Sequence, residues 1–317
     1  MAVKFSLSDI LKDVKTVGIA GHINPDGDCV GSTLGLYNFI VENYRDVDAR
    51  IFLEPIPNKF KFLNNADKIE QANEEIMFDV FFVLDCGSGD RLGDSYKYFE
   101  AAKKTVCIDH HKSNLSFADI NYIIPDASSA CELVYDVICE NDFSKSVAEC
   151  IYVGMVTDTG VFQYSSTDGK TMTVAGKLMD MGINFSRIVE DVFFAETFEQ
   201  SRIKSYAILK SKLYENGSII ATYINRAEME EYNVQYKELD GIVAALRNVR
   251  GVNVSIFLYE KEDGSYKVST RATEGVDLSL IAVKYNGGGH AKAAGFQMVG
   301  EPESLIAEVI EEIKKQL

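Results

Sequence analysis

Four histidines serve a chain of 317 residues, and two of them stand side by side in CIDHHKSN at 107–114. Asp109 precedes that pair, His110 and His111, at the end of a short apolar run. A third histidine, His22, opens HINPDGD, which also carries Asp26 and Asp28. Asp85 ends the run DVFFVLD, and Asp158 follows another in IYVGMVTDTG. Each carboxylate sits where a buried element meets a turn. Gathered in one place they would repel one another unless cations held them together. Oxygen donors with a minority of imidazoles suit Mn²⁺ or Mg²⁺ better than zinc, which prefers thiolate and imidazole. Taken singly, each residue has a plainer role. An Asp after a strand normally caps a helix or forms a turn, and Asp28, ahead of an apolar helix, fits that description. Four such ends carrying Asp, two of them with His, favour a metal centre.

The elements that must position these groups alternate along the first 165 residues. The strands predicted are Thr16–Ala20, Ala49–Leu53, Asp79–Leu84, Thr105–Ile108 and Asn121–Ile124, with helical patterns at 31–44 and 129–141 between them. Nearly all-apolar strands alternating with helices imply a parallel sheet covered on both faces. Such sheets bind ligands at the carboxyl ends of their strands. Residues 184–212 read as mostly helical. Alternating segments then follow at 218–224, 252–261 and 265–273, with EDG at 262–264 as a hairpin turn, and IAEVIEEIKKQL closes the chain as an amphipathic helix. The expected organisation is a catalytic domain over 1–190, a helical linker over 191–212 and a second domain over 213–317.

Composition narrows the function. A hydrophobic fraction of 46% is that of a globular chain. No apolar run reaches the length of a membrane span, and the N-terminus lacks the apolar core of a signal peptide, so a cytoplasmic protein without a membrane partner is expected. Six cysteines at 29, 86, 107, 131, 139 and 150, without a C-x-x-C pair, read as reduced and buried thiols. The formal net charge of −16 opposes binding to long polyanions.

GHINPDGDCVGS, VLDCGSGDRLG, CIDHHKSN and VGMVTDTGVFQYSST, in this order, resemble the four motifs of the DHH phosphoesterase superfamily. GGGHAKAAG at 287–295 resembles the signature of its associated C-terminal domain of the first type, with Ala291 where many relatives have Pro. The motifs span residues 21 to 295. The resemblance implies an N-terminal α/β domain with a parallel sheet, a smaller C-terminal α/β domain with a mixed sheet, and an active site in the cleft between them. It implies two divalent metal ions, Mn²⁺ in this family, although the ligand types also permit Mg²⁺ or Co²⁺. By that analogy His22, Asp26 and Asp85 hold one ion, while Asp28, Asp85, His110 and Asp158 hold the other. Asp109 then orients the imidazoles and His111 faces the phosphate, which makes both, with the bridging Asp85, the catalytic residues. Gly287, Gly288 and Gly289 offer backbone N–H groups as a glycine turn, with His290 and Lys292 beside it. Arg271 suits a second phosphate by bidentate hydrogen bonding. Arg91 in DRLG is read either as a substrate contact or as the partner of local carboxylates, and Ser128 and Ser129 as helix caps by default, with substrate contact as the alternative.

Among the branches that share these motifs, the glycine segment argues against manganese pyrophosphatases, and length and charge against RecJ-type exonucleases. Membrane-bound cyclic-dinucleotide phosphodiesterases would need membrane and sensor segments. The remaining branch is that of compact oligoribonucleases and 3′-phosphoadenosine 5′-phosphate (pAp) phosphatases. Its substrates are short RNA, linear dinucleotides and pAp, and some relatives open cyclic di-AMP. A homodimer is left open, and long nucleic acid is not expected as a partner. A non-catalytic nucleotide sensor would be expected to lose metal ligands, and here all six are present.

Overall fold

Two six-stranded sheets organise the computed structural model, which describes residues 5–273 and 275–316. The chain divides into two compact units, Met1–Ala195 and Glu196–Leu317. In the first, β1 (Thr16–Ala20), β2 (Asp48–Phe52), β3 (Ile69–Glu70), β4 (Val80–Leu84), β5 (Thr105–Asp109) and β6 (Ile120–Ile123) lie in the order β3-β2-β1-β4-β5-β6. All five pairings are parallel. Strands β4 and β5 are buried at every position, which is why they read as unbroken apolar runs. One face is covered by the helices Gly27–Asn43, Ala130–Ile138 and Lys145–Asp158. On the other, Phe52, Phe78, Phe81 and Tyr98 close a second cluster. A fully buried Phe of this kind contributes about 1.5–3 kcal/mol. No helix among the described residues is long and apolar enough to cross a membrane.

The predicted strands fall within one residue of these bounds. β3 was not anticipated, because two residues show no periodicity. The expected helix over 184–212 is broken. Phe185–Val189 runs into a π-turn, Glu190–Phe194, and a new helix starts at Phe198–Lys210. The restart has a local cause: Thr197 and Gln200 form a reciprocal capping box.

The second unit pairs β7 (Lys212–Tyr214), β8 (Ile219–Ile224), β9 (Val254–Glu260), β10 (Tyr266–Ala272), β11 (Gly288–His290) and β12 (Ala293–Met298) in the order β11-β12-β10-β9-β8-β7. Only β8–β9 is parallel, so the sheet is mixed. The helices Leu278–Lys284 and Pro302–Lys314 cover one face, and the helices Phe198–Lys210 and Ile242–Arg247 the other.

Candidate metal centre and substrate-binding groups

In the first sheet the chain leaves β1 toward one edge and β4 toward the other, so the topological switch lies between them. His22 follows β1, Asp85 follows β4, and Asp109, His110 and His111 end and follow β5. Asp28 lies in the first turn of the helix Gly27–Asn43, and Asp158 is the last residue of the helix Lys145–Asp158. Those two helices touch at residues without side chains. A Cβ on Gly31 would come within 2.5 Å of the Cys150 carbonyl oxygen, and one on Gly154 within 2.7 Å of Asp28 Oδ1. This close packing delivers Asp28 and Asp158 to one place.

Three groups of side chains have ligand atoms mutually within 4.8 Å: His22, Asp26 and Asp85; Asp28, His110 and Asp158; and Asp85, His110 and His111. His22 Nε2 lies 3.7 Å from Asp26 Oδ1 and 3.5 Å from Asp85 Oδ2. His110 Nε2 lies 3.7 Å from Asp28 Oδ2, 3.6 Å from Asp85 Oδ1 and 3.6 Å from Asp158 Oδ2. These gaps are too long for hydrogen bonds. They are close to the edges of a coordination polyhedron with bonds of about 2.0–2.2 Å, roughly 3–3.6 Å. Asp85 turns one oxygen to His22 and the other to His110, an arrangement that suits a ligand shared by two ions.

Ring hydrogen bonds support the same reading. His22 Nδ1 donates to the Ile23 carbonyl at 2.8 Å, and His110 Nδ1 to the Ala127 carbonyl at 3.2 Å. A carbonyl can only accept, so the neutral ring carries its proton on Nδ1 and offers the Nε2 lone pair to a cation. The helix Gly27–Asn43 is capped by Asp26, whose Oδ1 accepts from the N–H groups of Asp28 and Cys29, so the plainer role considered for Asp28 falls to its neighbour. Asp28 is 1% exposed, and its two oxygens accept from Ala130 N–H at 2.6 Å and Cys131 N–H at 2.9 Å. Its carboxyl group is therefore held at the start of a different helix and does not cap its own.

The electrostatics reveal a site short of positive charge. Burial, then the charges of Asp85 and Asp158, raise the Asp28 carboxyl well above its ordinary range. Burial and the Asp85 and Asp26 charges push Asp158 up to about 7 against the pull of His110. Burial acts to lower the His22 and His110 pKa values, but the carboxylates facing each ring win and push both to about 10. Protons thus gather where a divalent cation would neutralise the same carboxylates.

His111 is arranged differently from its neighbour. Its Nδ1 donates to Asp109 Oδ1 at 2.7 Å, and the hydrogen bond to this carboxylate raises the imidazole pKa. Asp109 is fully buried, and its other oxygen accepts from Asn114 Nδ2 at 2.7 Å. Asn114 ends the same motif, yet nothing in its sequence context singled it out as the partner of Asp109. Arg91 braces the first loop through its carbonyl, which accepts from Ile23 N–H at 2.8 Å. Among the described residues no carboxylate forms an ion pair with its guanidinium. Ser129 caps the helix Ala130–Ile138, accepting from Glu132 N–H at 3.1 Å. All six cysteines are free; Cys139 is exposed rather than buried, because it follows the last turn of that helix.

In the second unit the glycine segment is a short edge strand, β11, rather than a turn. Gly287 N–H donates to the Ala282 carbonyl. A Cβ on Gly287 would meet the Gly295 carbonyl oxygen at 2.3 Å, and one on Gly289 the Ala293 carbonyl oxygen at 2.4 Å. These two glycines serve sheet packing, and only Gly288 has open space beside it. The register places Arg271 and His290 on either side of Ala293, since both pair with it. Directly paired residues project to the same face, so Arg271 and His290 flank a small residue on adjacent strands. Lys292 lies exposed in the tight connection from β11 to β12.

Residues 16–155 match the DHH family, N-terminal domain, and residues 216–317 match the DHHA1 domain. The chain thus carries a DHH domain followed by a DHHA1 domain. At 27% identity over 93% of both chains, it is similar to the bifunctional oligoribonuclease and PAP phosphatase NrnA of Bacillus subtilis. The protein of that name from Thermus thermophilus is 28% identical over 98% of this chain and 93% of its own. Among solved structures, an exopolyphosphatase-related protein from Bacteroides fragilis superimposes with a TM-score of 0.90 at 26% identity, covering 97% of this chain and 94% of that one.

Proposed function

We propose that the chain is a cytoplasmic, divalent-metal-dependent phosphoesterase. It hydrolyses very short oligoribonucleotides and linear dinucleotides to 5′-mononucleotides, and pAp to AMP. The observation that carries this reading is Asp85, whose two oxygens are divided between the His22 and His110 clusters at the switch point of the sheet. The relatives named for both activities support the choice of substrates. One ion is assigned to His22, Asp26 and Asp85, the other to Asp28, Asp85, His110 and Asp158, with manganese as the metal. When bound, the two ions supply Lewis acidity toward phosphoryl oxygens and a more acidic water.

Both substrates require the same bond to break. Water attacks phosphorus and the P–O3′ bond cleaves, so the 3′ oxygen leaves and takes up a proton. In a 5′-phosphorylated dinucleotide this gives two 5′-mononucleotides; in pAp it gives AMP and inorganic phosphate. His111 is placed to hold that proton on Nε2, because Asp109 occupies Nδ1. Asp109 stabilises the imidazolium, and Asn114 fixes the carboxylate's orientation. Arg271 and His290, with Gly288 and Lys292, are assigned to the remaining phosphate and the nucleoside.

Chromatography of AMP released from pApA and from pAp tests the metal requirement. Turnover of both is expected to vanish in excess chelator and to return with Mn²⁺; undiminished turnover in chelator contradicts the reading.

A further inference from the structure

Behind the Asp28–His110–Asp158 cluster lies a second buried carboxylate. Glu132 is 2% exposed. Its Oε2 accepts from Ser128 Oγ at 2.5 Å and from Thr171 Oγ1 at 2.8 Å. Its Oε1 lies 2.9 Å from Lys170 Nζ, which also bonds Asp136 at 2.6 Å. A buried charge costs several kcal/mol to desolvate, and an apolar side chain commonly fills such a space at no loss of stability. The segment that Glu132 ties down accounts for the carboxylate.

Residues 127–131 make three hydrogen bonds into the metal centre. Ala130 N–H and Cys131 N–H hold the two oxygens of Asp28, and the Ala127 carbonyl holds His110 Nδ1. Ser128 sits between these contacts and is anchored by its hydroxyl to Glu132. Thr171, from the helix Gly169–Asp180, anchors Glu132 from the other side. A shift of this segment would move Asp28 and His110 together.

We propose that Glu132, with Ser128 and Thr171, positions Asp28 and His110 for the divalent cation they share with Asp158. This rests on the metal-dependent reading above. The carboxylate accepts from both hydroxyls and faces the Lys170 ammonium at once. A glutamine would either set its amide N–H against that ammonium or turn it to the hydroxyls. These would then have to reverse from donor to acceptor, Thr171 Oγ1 toward Asp168 Oδ1 at 3.0 Å, and Ser128 would lose its anionic anchor.

Mn²⁺ titration calorimetry on the full-length chain tests the proposal, with circular dichroism and melting curves recorded in parallel. Glu132→Gln and Thr171→Val are expected to weaken Mn²⁺ binding about 10–100-fold. Thr171→Ser, which keeps the hydroxyl, is expected to restore it. Val134→Ala, a cavity in the same helix at a fully buried position, is expected to lower the melting temperature yet bind Mn²⁺ as the wild type does. The proposal is overturned if Glu132→Gln binds as tightly as the wild type, or if Val134→Ala weakens binding equally. A wild-type protein that binds no Mn²⁺ overturns the metal-dependent reading itself, and this inference with it.

Discussion

Asp85→Asn is expected to lower kcat/KM on pApA at least about 10³-fold while leaving the circular dichroism spectrum intact. Asparagine is the informative replacement because Asp85 sits at φ +51°, a left-handed backbone that asparagine tolerates and alanine does not. The side chain keeps its volume, and a backbone penalty is avoided. What it loses is the second anionic oxygen. One Asp85 oxygen faces His22 and the other faces His110, so an amide in this place can serve only one cluster as an oxygen donor. Removing the Asp85 charge relieves repulsion from Asp28 and Asp158 but forfeits attraction to the protonated His22 and His110 rings, so the two effects oppose in the metal-free protein. The melting temperature without metal is therefore expected to change little, while the stabilisation gained on adding Mn²⁺ shrinks. Activity within tenfold of the wild type would contradict the bridging assignment.

Asp109→Asn is expected to cost about 10²–10⁴-fold in kcat, with Mn²⁺ affinity and KM changed only a few-fold. The direction follows from how Asn114 is locked. Its Nδ2 donates to Asp109 and to the Cys86 carbonyl, and its Oδ1 accepts from Ser116 N–H. It cannot turn its amide without breaking these bonds. An asparagine at 109 must then keep its oxygen toward Asn114 and present its amide N–H groups to His111 Nδ1. The imidazolium needs an acceptor there and would meet a donor. His111 loses its preference for the protonated form, and with it the ability to give a proton to the leaving O3′. An unchanged kcat would mean that His111 does not act on the leaving group. A parallel loss of Mn²⁺ affinity would mean that Asp109 serves the metal ligands instead.

The convergence of the Asp and His side chains was legible because these residues are chemically marked and locally placed. Asp85 and Asp109 each end an all-apolar strand, and His22, Asp26 and Asp28 share one short loop. Which of two nearby aspartates caps the helix was not legible, since Asp26 and Asp28 differ by half a turn and only hydrogen-bond geometry separates them. Glu132 and Thr171 were hidden for another reason. They meet across 39 residues, and Asp28 meets Ala130 across 102, distances over which no sequence period operates. The break before Phe198 could have been found, because T-x-x-Q at 197–200 is a capping-box pattern. The glycine segment at 287–289 misled in the opposite way. Glycines that permit close strand packing look the same in a sequence as glycines that admit a phosphate.

The substrate claim joins a local fact to a global one. A net charge of −16 repels extended polyanions, while cations held by the proposed metal centre would neutralise the few phosphates of a short substrate. The most direct test is kcat/KM in Mn²⁺ for 5′-labelled pApA and for a 24-nucleotide RNA, measured side by side. The dinucleotide is expected to turn over at least about tenfold more efficiently. Equal or better turnover of the 24-mer would contradict the account.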